Sequence, residues 1–454
     1  MKKNSYFSLV AILFLGLITQ AQSKKWTLEE CVKYALENNI SIKQSELDTQ
    51  TATIDKKSAF GNLLPSINAS TSHSWNIGLN QDITTGLLRN QTTQFTSTGM
   101  NVGIDIYKGL QNQNNLRRAN LALVASKYQL LKMQEDIALN VANAFLQVLF
   151  NKENLKVQLE QLAINEKQLA RSSELVSVGV VPRGDLLDIK ASVAQTRQNV
   201  VAAENTLLIS KLSLSQLLQL KDFENFDVVD VMDINNNATI LAQSPSAIID
   251  KAKESRTELK IAQTNLEIAQ KNLASAKGAF QPSLQGFYGF NSRISYADVA
   301  VISGGVISTK PANPFWTQFS DNKGQSFGAQ LSIPIFNGLA TKNNVERSKV
   351  NLQKATIALE QQNLNLERTI YTAFTDAKGA LKANESAISS FEARQEAYNY
   401  AKEKFAVGLM NSFDYNQAQT LLVNAQSEVL RTKYDSIFKI KILEFYFGIP
   451  IIKN

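Results

Sequence analysis

The sequence has few of the residues on which catalytic and metal sites usually depend. Its 454 residues include one cysteine and one histidine. The single cysteine, Cys31, excludes an internal disulfide, and its helical setting predicts a small buried residue rather than a reactive thiol. His73 lies on a predicted strand without other potential ligands nearby, which argues against metal ligation and histidine-dependent catalysis. Because a phosphate-binding glycine loop is missing too, we expect no enzymatic activity, no metal and no cofactor.

Long apolar runs and blocks of like charge are also scarce. The net charge is +7, but basic and acidic residues alternate, which favours a mixed solvated surface over nucleic-acid binding. The one long apolar run, about Phe7 to Ile18, follows a basic start and precedes small residues, so residues 1–22 are predicted to be a cleaved secretory signal peptide. No later segment approaches the ~18 apolar residues of a membrane helix. We expect an exported chain without a helical membrane anchor.

The strongest positive feature is an internal repeat of about 200 residues. A long repeat of this kind predicts a duplicated domain rather than a solenoid of short units. Two segments recur at a spacing of 229 residues and one at 217, so the second copy carries a longer loop between its strands. The matched pairs are SVGVVPRGD (177–185) with AVGLMNSFD (406–414), IYKGLQNQNNL (106–116) with IFNGLATKNNV (335–345), and GNLLPSI (61–67) with GAFQPSL (278–284).

The repeat predicts the division of the chain. The expected parts are the signal peptide (1–22), a first repeat (23–220), an equatorial or linker segment (221–245), a second repeat (246–448) and a C-terminal tail (449–454). Within each repeat the predicted order is a helix, two strands, a long helix, a turn and a shorter helix.

Helical periodicity predicts unusually long rods. The first helix is expected over 27–61, with Thr27 and Glu30 as a capping box. The long helices are expected at about 110–178 and 339–407, each roughly 100 Å long at the usual helical rise. The shorter helices, at about 185–220 and 413–447, carry heptads typical of tightly packed antiparallel coiled coil.

Four strands are predicted, at about Ser66–Trp75, Met100–Ile106, Ser283–Asn291 and Phe327–Ile335. Each has an apolar face and a polar or glycine face, and a length suited to a membrane barrel. Four strands cannot close a barrel, and open edges in lipid leave backbone groups unpaired, so membrane-spanning strands require an oligomer. Three chains would supply twelve strands. The alternative is a soluble pair of hairpins packed on the coiled coil.

The motifs TLEECVKYALENN, LLPSI, IYKGL and SIPIFNGL and the two VG…D turns resemble the TolC-like outer-membrane efflux protein family, over about residues 26–448. The resemblance implies a mixed α and β membrane protein. Its fold would be a homotrimeric α/β barrel, with long antiparallel coiled-coil helices as a periplasmic tunnel and a 12-stranded barrel in outer-membrane lipid. It also implies passive export, fed by a periplasmic adaptor (membrane fusion) protein and an inner-membrane transporter of RND or ABC type, in tripartite efflux or type I secretion.

The resemblance also assigns roles to the helix turns, which would form the periplasmic mouth. Asp185, Asp188 and Asp414 match an acidic constriction, with Gln417 where a further aspartate is expected. Phe405 and Met410 stand where a tyrosine and an arginine would latch the mouth, so we expect Phe405, Val407 and Met410 to hold it by packing. The expected adaptor-docking residues are Gly179, Pro182, Gly184, Gly408 and Asn411.

Two alternatives stay open on the sequence. Asp185 and Asp188 would also suit an N-cap and the first turn of a helix, without any role in a pore. A periplasmic coiled-coil scaffold or adaptor without a pore would share the signal peptide and the heptads, although it would not need duplicated amphipathic strands.

Overall fold

The computed structural model describes residues 25–81, 86–223, 225–230, 238–303 and 306–451. The predicted signal peptide lies outside these residues, as do parts of the linker and of the C-terminal tail. The chain forms two compact units. One comprises the chain up to Leu47, Tyr128–Lys260 and the chain from Glu360 onward, and the other comprises Asp48–Lys127 and Ile261–Leu359. Each unit therefore draws segments from both halves of the chain.

The elements follow the predicted order, with additions at the linker and between the last two long strands. In chain order they are β1 (Lys25–Trp26), α1 (Leu28–Asn38), α2 (Ile40–Gly61), β2 (Ser66–Gln81), β3 (Leu88–Lys108), α3 (Gln111–Ser177), α4 (Arg183–Leu218), β4 (Asp227–Val228), a 3-10 helix (Ala238–Ala242), α5 (Pro245–Ser255), α6 (Thr257–Gly278), β5 (Ser283–Ser295), β6 (Val299–Ser303), β7 (Val306–Lys310), α7 (Phe315–Asp321), β8 (Gly324–Ser332), α8 (Ala340–Ala406) and α9 (Ser412–Tyr446).

The predicted rods are confirmed. Helices α3 and α8 each have 67 residues, and α4 and α9 have 36 and 35. At 1.5 Å per residue the two long helices are each about 100 Å long. None of the helices in the described ranges combines the length and apolar character that a membrane span requires.

The single helix predicted over 27–61 is wrong, because it breaks at Asn39. The capping box at Thr27 and Glu30 is present, but Asn39 adopts an extended backbone (φ −62°, ψ 131°) that separates α1 from α2. The Asn39 side chain is buried, its amide nitrogen donates to the Leu217 carbonyl oxygen (3.0 Å), and its oxygen accepts from the Ser41 amide (2.9 Å). A tertiary hydrogen bond to Leu217 and a local one from Ser41 thus hold a break that helix propensity does not predict.

A matching break occurs 217 residues later, at Arg256, between α5 and α6. Its backbone angles are nearly the same (φ −66°, ψ 130°). The Arg256 side chain is 5% exposed, pairs with Glu135 (3.2 Å) and Glu258 (2.9 Å), and lies over the rings of Phe445 and Tyr446.

Burial opposes ionisation of both carboxylates that bind Arg256. It raises the pKa of Glu135 in spite of the nearby guanidinium. In Glu258 burial acts in the same direction, but the hydrogen bonds and charge of Arg256 outweigh it and lower the pKa. The break in the second copy is therefore held by partly desolvated charges that depend on one another.

The first unit has its main core where α1 packs on the middle of α3. Cys31 is completely buried there, as predicted, and burial raises the pKa of its thiol to about 12. The short strand β1 pairs in parallel with β4, which belongs to the predicted linker. Lys152 of α3 and Lys211 of α4 both form ion pairs with Asp227 of β4 (2.9 Å each). The linker is thus attached to both α3 and α4.

The second unit contains a four-stranded antiparallel sheet in the order β2-β3-β5-β8. Three strands are longer than predicted; β3 extends back to Leu88 through a polar stretch without alternation. Strand β8 ends earlier than predicted, at Ser332, because Pro334 lacks an amide proton for the ladder. The sheet's outer edges, β2 and β8, have no strand partner within the described part of the chain.

The longer loop of the second copy contains structure that the sequence did not predict. Strands β6 and β7 form a hairpin, and helix α7 follows it. The Gln318 side chain of α7 donates to the Ser295 carbonyl oxygen (2.9 Å) and accepts from the Ser295 amide (3.0 Å). Helix α7 therefore satisfies the edge of β5 beyond Gly324, the first residue of β8.

Candidate functional site at the helix turns

The turn between α3 and α4 is a Schellman motif centred on Gly179. Gly179 has φ +75°, a left-handed conformation that favours glycine. The Val180 amide donates to the Leu175 carbonyl oxygen (2.9 Å) and the Gly179 amide donates to that of Val176 (3.1 Å). These bonds satisfy two of the carbonyls left open at the end of α3, which stops the helix sharply.

The turn between α8 and α9 has the same geometry. Gly408 has φ +77°, the Leu409 amide donates to the Lys404 carbonyl oxygen (2.8 Å), and the Gly408 amide donates to that of Phe405 (3.2 Å). The duplicated VG motif therefore specifies the same helix stop twice.

The two helices that leave these turns begin differently. Pro182 is the N-cap of α4 and makes no side-chain cap bond, whereas Asn411 caps α9 by accepting from the Asp414 amide (2.8 Å). The Asn411 amide group also donates to the Asp414 carboxylate (2.9 Å). Asp185 is not the N-cap of α4, but it lies in the first turn, so of the alternative role the N-cap is wrong and the first-turn position is present.

Ser412 joins the two turns. Its hydroxyl lies 3.3 Å from an Asp185 carboxylate oxygen and 3.4 Å from one of Asp188, and it donates to either. Ser412 is 2% exposed, Asp185 is half-buried, and Asp188 is exposed. Two of the predicted acidic residues thus meet at one buried hydroxyl that the sequence analysis did not single out.

Asp414 and Gln417 follow on α9 and are both exposed. Within the described part of the chain neither of them contacts Asp185 or Asp188 through a hydrogen bond or an ion pair. Within the described residues, the structure therefore brings Asp185 and Asp188 together and does not join Asp414 or Gln417 to them.

An aromatic cluster supports the second turn. The Phe405 ring stacks on that of Tyr415, with centroids 4.6 Å apart, and the buried hydroxyls of Tyr415 and Tyr398 are 2.9 Å apart. Met410 packs on the same cluster, whereas Val407 is 71% exposed. Phe405 and Met410 thus pack within the chain and Val407 does not, while their packing at a mouth stays a prediction; the sequence analysis missed the two tyrosines.

Apolar side chains are exposed on both turns. A soluble surface rarely gathers several large apolar residues at one place without a binding role. Gly184 lies within α4, and Gly179, Pro182, Gly408 and Asn411 are exposed beside these apolar residues. The exposed apolar residues are Val178, Val180 and Leu187 on the first turn, and Leu409 and Phe413 with Val407 on the second.

A family model described as outer membrane efflux protein matches residues 31–219 and 248–437, which is most of the chain. The chain belongs to the outer membrane efflux protein family. The predicted family, the fold class and the function as an outer-membrane efflux channel are confirmed.

Individual relatives of this efflux protein are distant but cover nearly all of it. It is 20% identical to the outer membrane protein TolC of Escherichia coli over 94% of this chain and 83% of TolC. It is 23% identical to the probable outer membrane lipoprotein SilC of Salmonella typhimurium over 88% of this chain and 81% of SilC.

Solved channels share the fold. The outer membrane protein VceC of Vibrio cholerae superposes with a TM-score of 0.75 at 14% identity, covering 93% of this chain and 96% of VceC. The CmeC outer membrane channel of Campylobacter jejuni gives 0.76 at 20% identity, covering 93% of this chain and 85% of CmeC.

Proposed function

We propose that three copies of this chain close a barrel in the outer membrane and conduct substrates through it from the periplasm. The observation that carries the proposal is the four-stranded sheet, whose edges β2 and β8 have no partner in the described chain. Strands β2 and β8 run in opposite directions, so β8 of one copy and β2 of the next are suited to pair as an antiparallel ladder. Closure around three copies removes every open edge.

The two faces of the sheet support this assignment. The strand register places Val102, Tyr288 and Phe327 side by side on one face, and Asn101, Gly289 and Ser326 on the other. On the apolar face Ile77 is 82% exposed and Phe327 84%. Such a face suits lipid, while the serine-, asparagine- and glycine-rich face suits a water-filled lumen. A soluble hairpin pair would bury this apolar face, and the described chain does not.

The partners belong to the same proposal. The exposed apolar residues on the two turns form a surface suited to a periplasmic adaptor, whose docking would join the channel to an inner-membrane RND or ABC transporter. Residues 1–22 would direct export and be removed. We also propose that 23–220 and 246–448 are copies of one repeat, joined by the segment 221–245.

Fractionation of the native, full-length protein tests the proposal. We expect it in the outer membrane, extracted only by detergent, with the mass of three chains. Recovery as a soluble monomer would favour the periplasmic scaffold and contradict the channel. A variant in which β8 alone (Gly324–Ser332) is deleted serves as the matched variant. Loss of this edge strand should abolish the trimer and leave the helical first unit intact.

The acidic residues at the turns would form a cation-attracting constriction. Three chains would bring together the carboxylates of Asp185, Asp188 and Asp414 at one opening, and rings of acidic side chains favour cations in pores. Replacement by Asn keeps size and removes charge. In planar bilayers under a salt gradient, Asp185→Asn/Asp414→Asn channels should lose cation preference, whereas Asp376→Asn, on the exposed surface of α8, should keep it. Unchanged selectivity in the double variant would rule out the acidic ring.

A further inference from the structure

The two halves of the chain meet inside one protomer, and in a ring of three chains they also meet between protomers. Around such a ring first and second halves alternate, so the second half of each chain adjoins the first half of the next. The two halves have the same fold. A contact between two residues of one chain, one in each half, should therefore recur between neighbouring chains, with each residue replaced by its equivalent in the other half. This reasoning rests on the proposed trimer.

A pair of glycines in the second unit agrees with this rule. Gly109 and Gly278 touch so closely that a Cβ on either one would collide with the carbonyl oxygen of the other. Their counterparts in the repeat are Gly338 and Gly61. Both of these have open space around them in the single chain, with no atom within 4 Å of an added Cβ. A close approach of Gly338 to Gly61 of the next chain would complete the pattern.

The turns provide the same arrangement with charged residues. Within the chain, Ser412 of the second half donates to Asp185 and Asp188 of the first. At the spacing of 229 residues, the position equivalent to Ser412 in the first half is Arg183. The positions equivalent to Asp185 and Asp188 in the second half are Asp414 and Gln417.

We propose that Arg183 of each protomer binds Asp414 and Gln417 of the neighbouring protomer, so that three ion pairs link the chains at the mouth. Around the mouth, a neutral contact at Ser412 within each chain would then alternate with a charged contact at Arg183 between chains. The resemblance led us to expect that Met410 removes an arginine latch from the second turn. Arg183 supplies a guanidinium from the first turn instead.

The side chains suit these contacts. Arg183 is exposed and forms no ion pair within the described part of the chain, and Asp414 and Gln417 are exposed on the first turns of α9. A guanidinium has five N–H donors in a planar fork, which match a carboxylate and an amide oxygen together.

The ion pairs would also limit the charge of the constriction. Asp185, Asp188 and Asp414 contribute three negative charges per chain, and Arg183 returns one positive charge. The constriction therefore keeps a net negative charge, and its chains are held together rather than driven apart by like charges.

Cysteine cross-linking distinguishes contacts within and between chains. The test variant is Arg183→Cys/Asp414→Cys in a Cys31→Ala background, and the matched control is Asp185→Cys/Ser412→Cys in the same background. Detergent-solubilised protein is treated with a short bifunctional thiol reagent and run on a denaturing gel. We expect the test variant to shift from one to two and three chain masses, and the control to stay at one.

Each other outcome overturns a defined part of the proposal. A test variant that elutes as a trimer before denaturation, yet yields no linked chains, would overturn the Arg183 contact and leave the proposed channel standing. Elution of the Cys31→Ala parent, which keeps Arg183 and Asp414, as a monomer would overturn the channel itself. A charge swap, Arg183→Asp/Asp414→Arg, should restore the trimer fraction that Arg183→Asp alone loses, and failure to restore it would also contradict the ion pair.

Discussion

The helix breaks at Asn39 and Arg256 have the same backbone and different chemistry. Each is 5% exposed, and each contacts the end of the short helix in its own half, Asn39 at Leu217 and Arg256 at Phe445 and Tyr446. Asn39 uses neutral hydrogen bonds, whereas Arg256 adds two carboxylates, one of them from the other half of the chain. Both copies of the repeat therefore have a helix break at the same position, but different side-chain contacts stabilise it in each copy.

The two turns differ in the same way. Their glycines and backbone hydrogen bonds coincide, but the side chains beneath them do not. Where the second copy has the aromatic cluster, the first has aliphatic residues at every equivalent position. The pairs are Tyr398 with Leu169, Phe405 with Val176, and Tyr415 with Leu186.

Removing the charge at the second break should have the largest effect. Arg256→Met leaves Glu135 and Glu258 without their buried partner, and we expect it to destabilise the protein by about 3–5 kcal/mol. Asn39→Ala removes two neutral hydrogen bonds at the equivalent position and should cost only about 1–2 kcal/mol. Denaturant unfolding in detergent, followed by circular dichroism, measures both.

An exposed ion pair provides the control for the two breaks. Lys253 binds Glu367 with both side chains more than a third exposed, so Lys253→Ala should change stability by less than about 1 kcal/mol. Equal losses for Arg256→Met and Asn39→Ala would show that the buried charges add nothing to the second break.

The turn glycines should respond alike, since their backbones coincide. Gly179→Ala and Gly408→Ala each place a Cβ at a left-handed φ, at a cost of about 1–2 kcal/mol. Gly184→Ala is the control, because Gly184 lies in the first turn of α4 without a left-handed φ, so alanine there should not destabilise the protein. A difference between the two turn variants in thermal unfolding would contradict the equivalence of the turns.

The smallest effect is expected in the aromatic cluster. Tyr415→Phe removes the buried hydroxyl bond to Tyr398 and should cost about 1 kcal/mol, while the ring contact with Phe405 remains. Tyr400→Phe, at an exposed position of α8, the helix that carries Tyr398, should cost nothing measurable. If Tyr415→Phe also leaves the thermal unfolding temperature unchanged, the hydroxyl pair does not stabilise the second turn.

The features predicted well from the sequence are those with a local or repeated signal. Helical periodicity and the glycines at 179 and 408 were enough to place the long rods and turns, because a Schellman stop is determined within a few residues. The faces of the sheet followed from alternation at Met100–Ile106, which requires no knowledge of the neighbouring strands.

The features that the sequence did not predict depend on residues far away in the chain. The break at Asn39 is held by Leu217, and the contact at Ser412 exists only because another turn lies beside it. The start of β3 is polar and does not alternate, so its strand structure comes from pairing with β2. The proposed Arg183 contact depends on another chain, so no local pattern in the sequence predicts it.

The central claim is that the two turns line the periplasmic mouth of an outer-membrane channel, and a cysteine at the mouth tests it most directly. In a Cys31→Ala background, Asp414→Cys channels are recorded in a planar bilayer while a bulky cationic thiol reagent is added on the side of the turns. We predict a stepwise fall in current that reductant reverses, with no effect on the Cys31→Ala parent. Full labelling of the cysteine with unchanged current would contradict the claim.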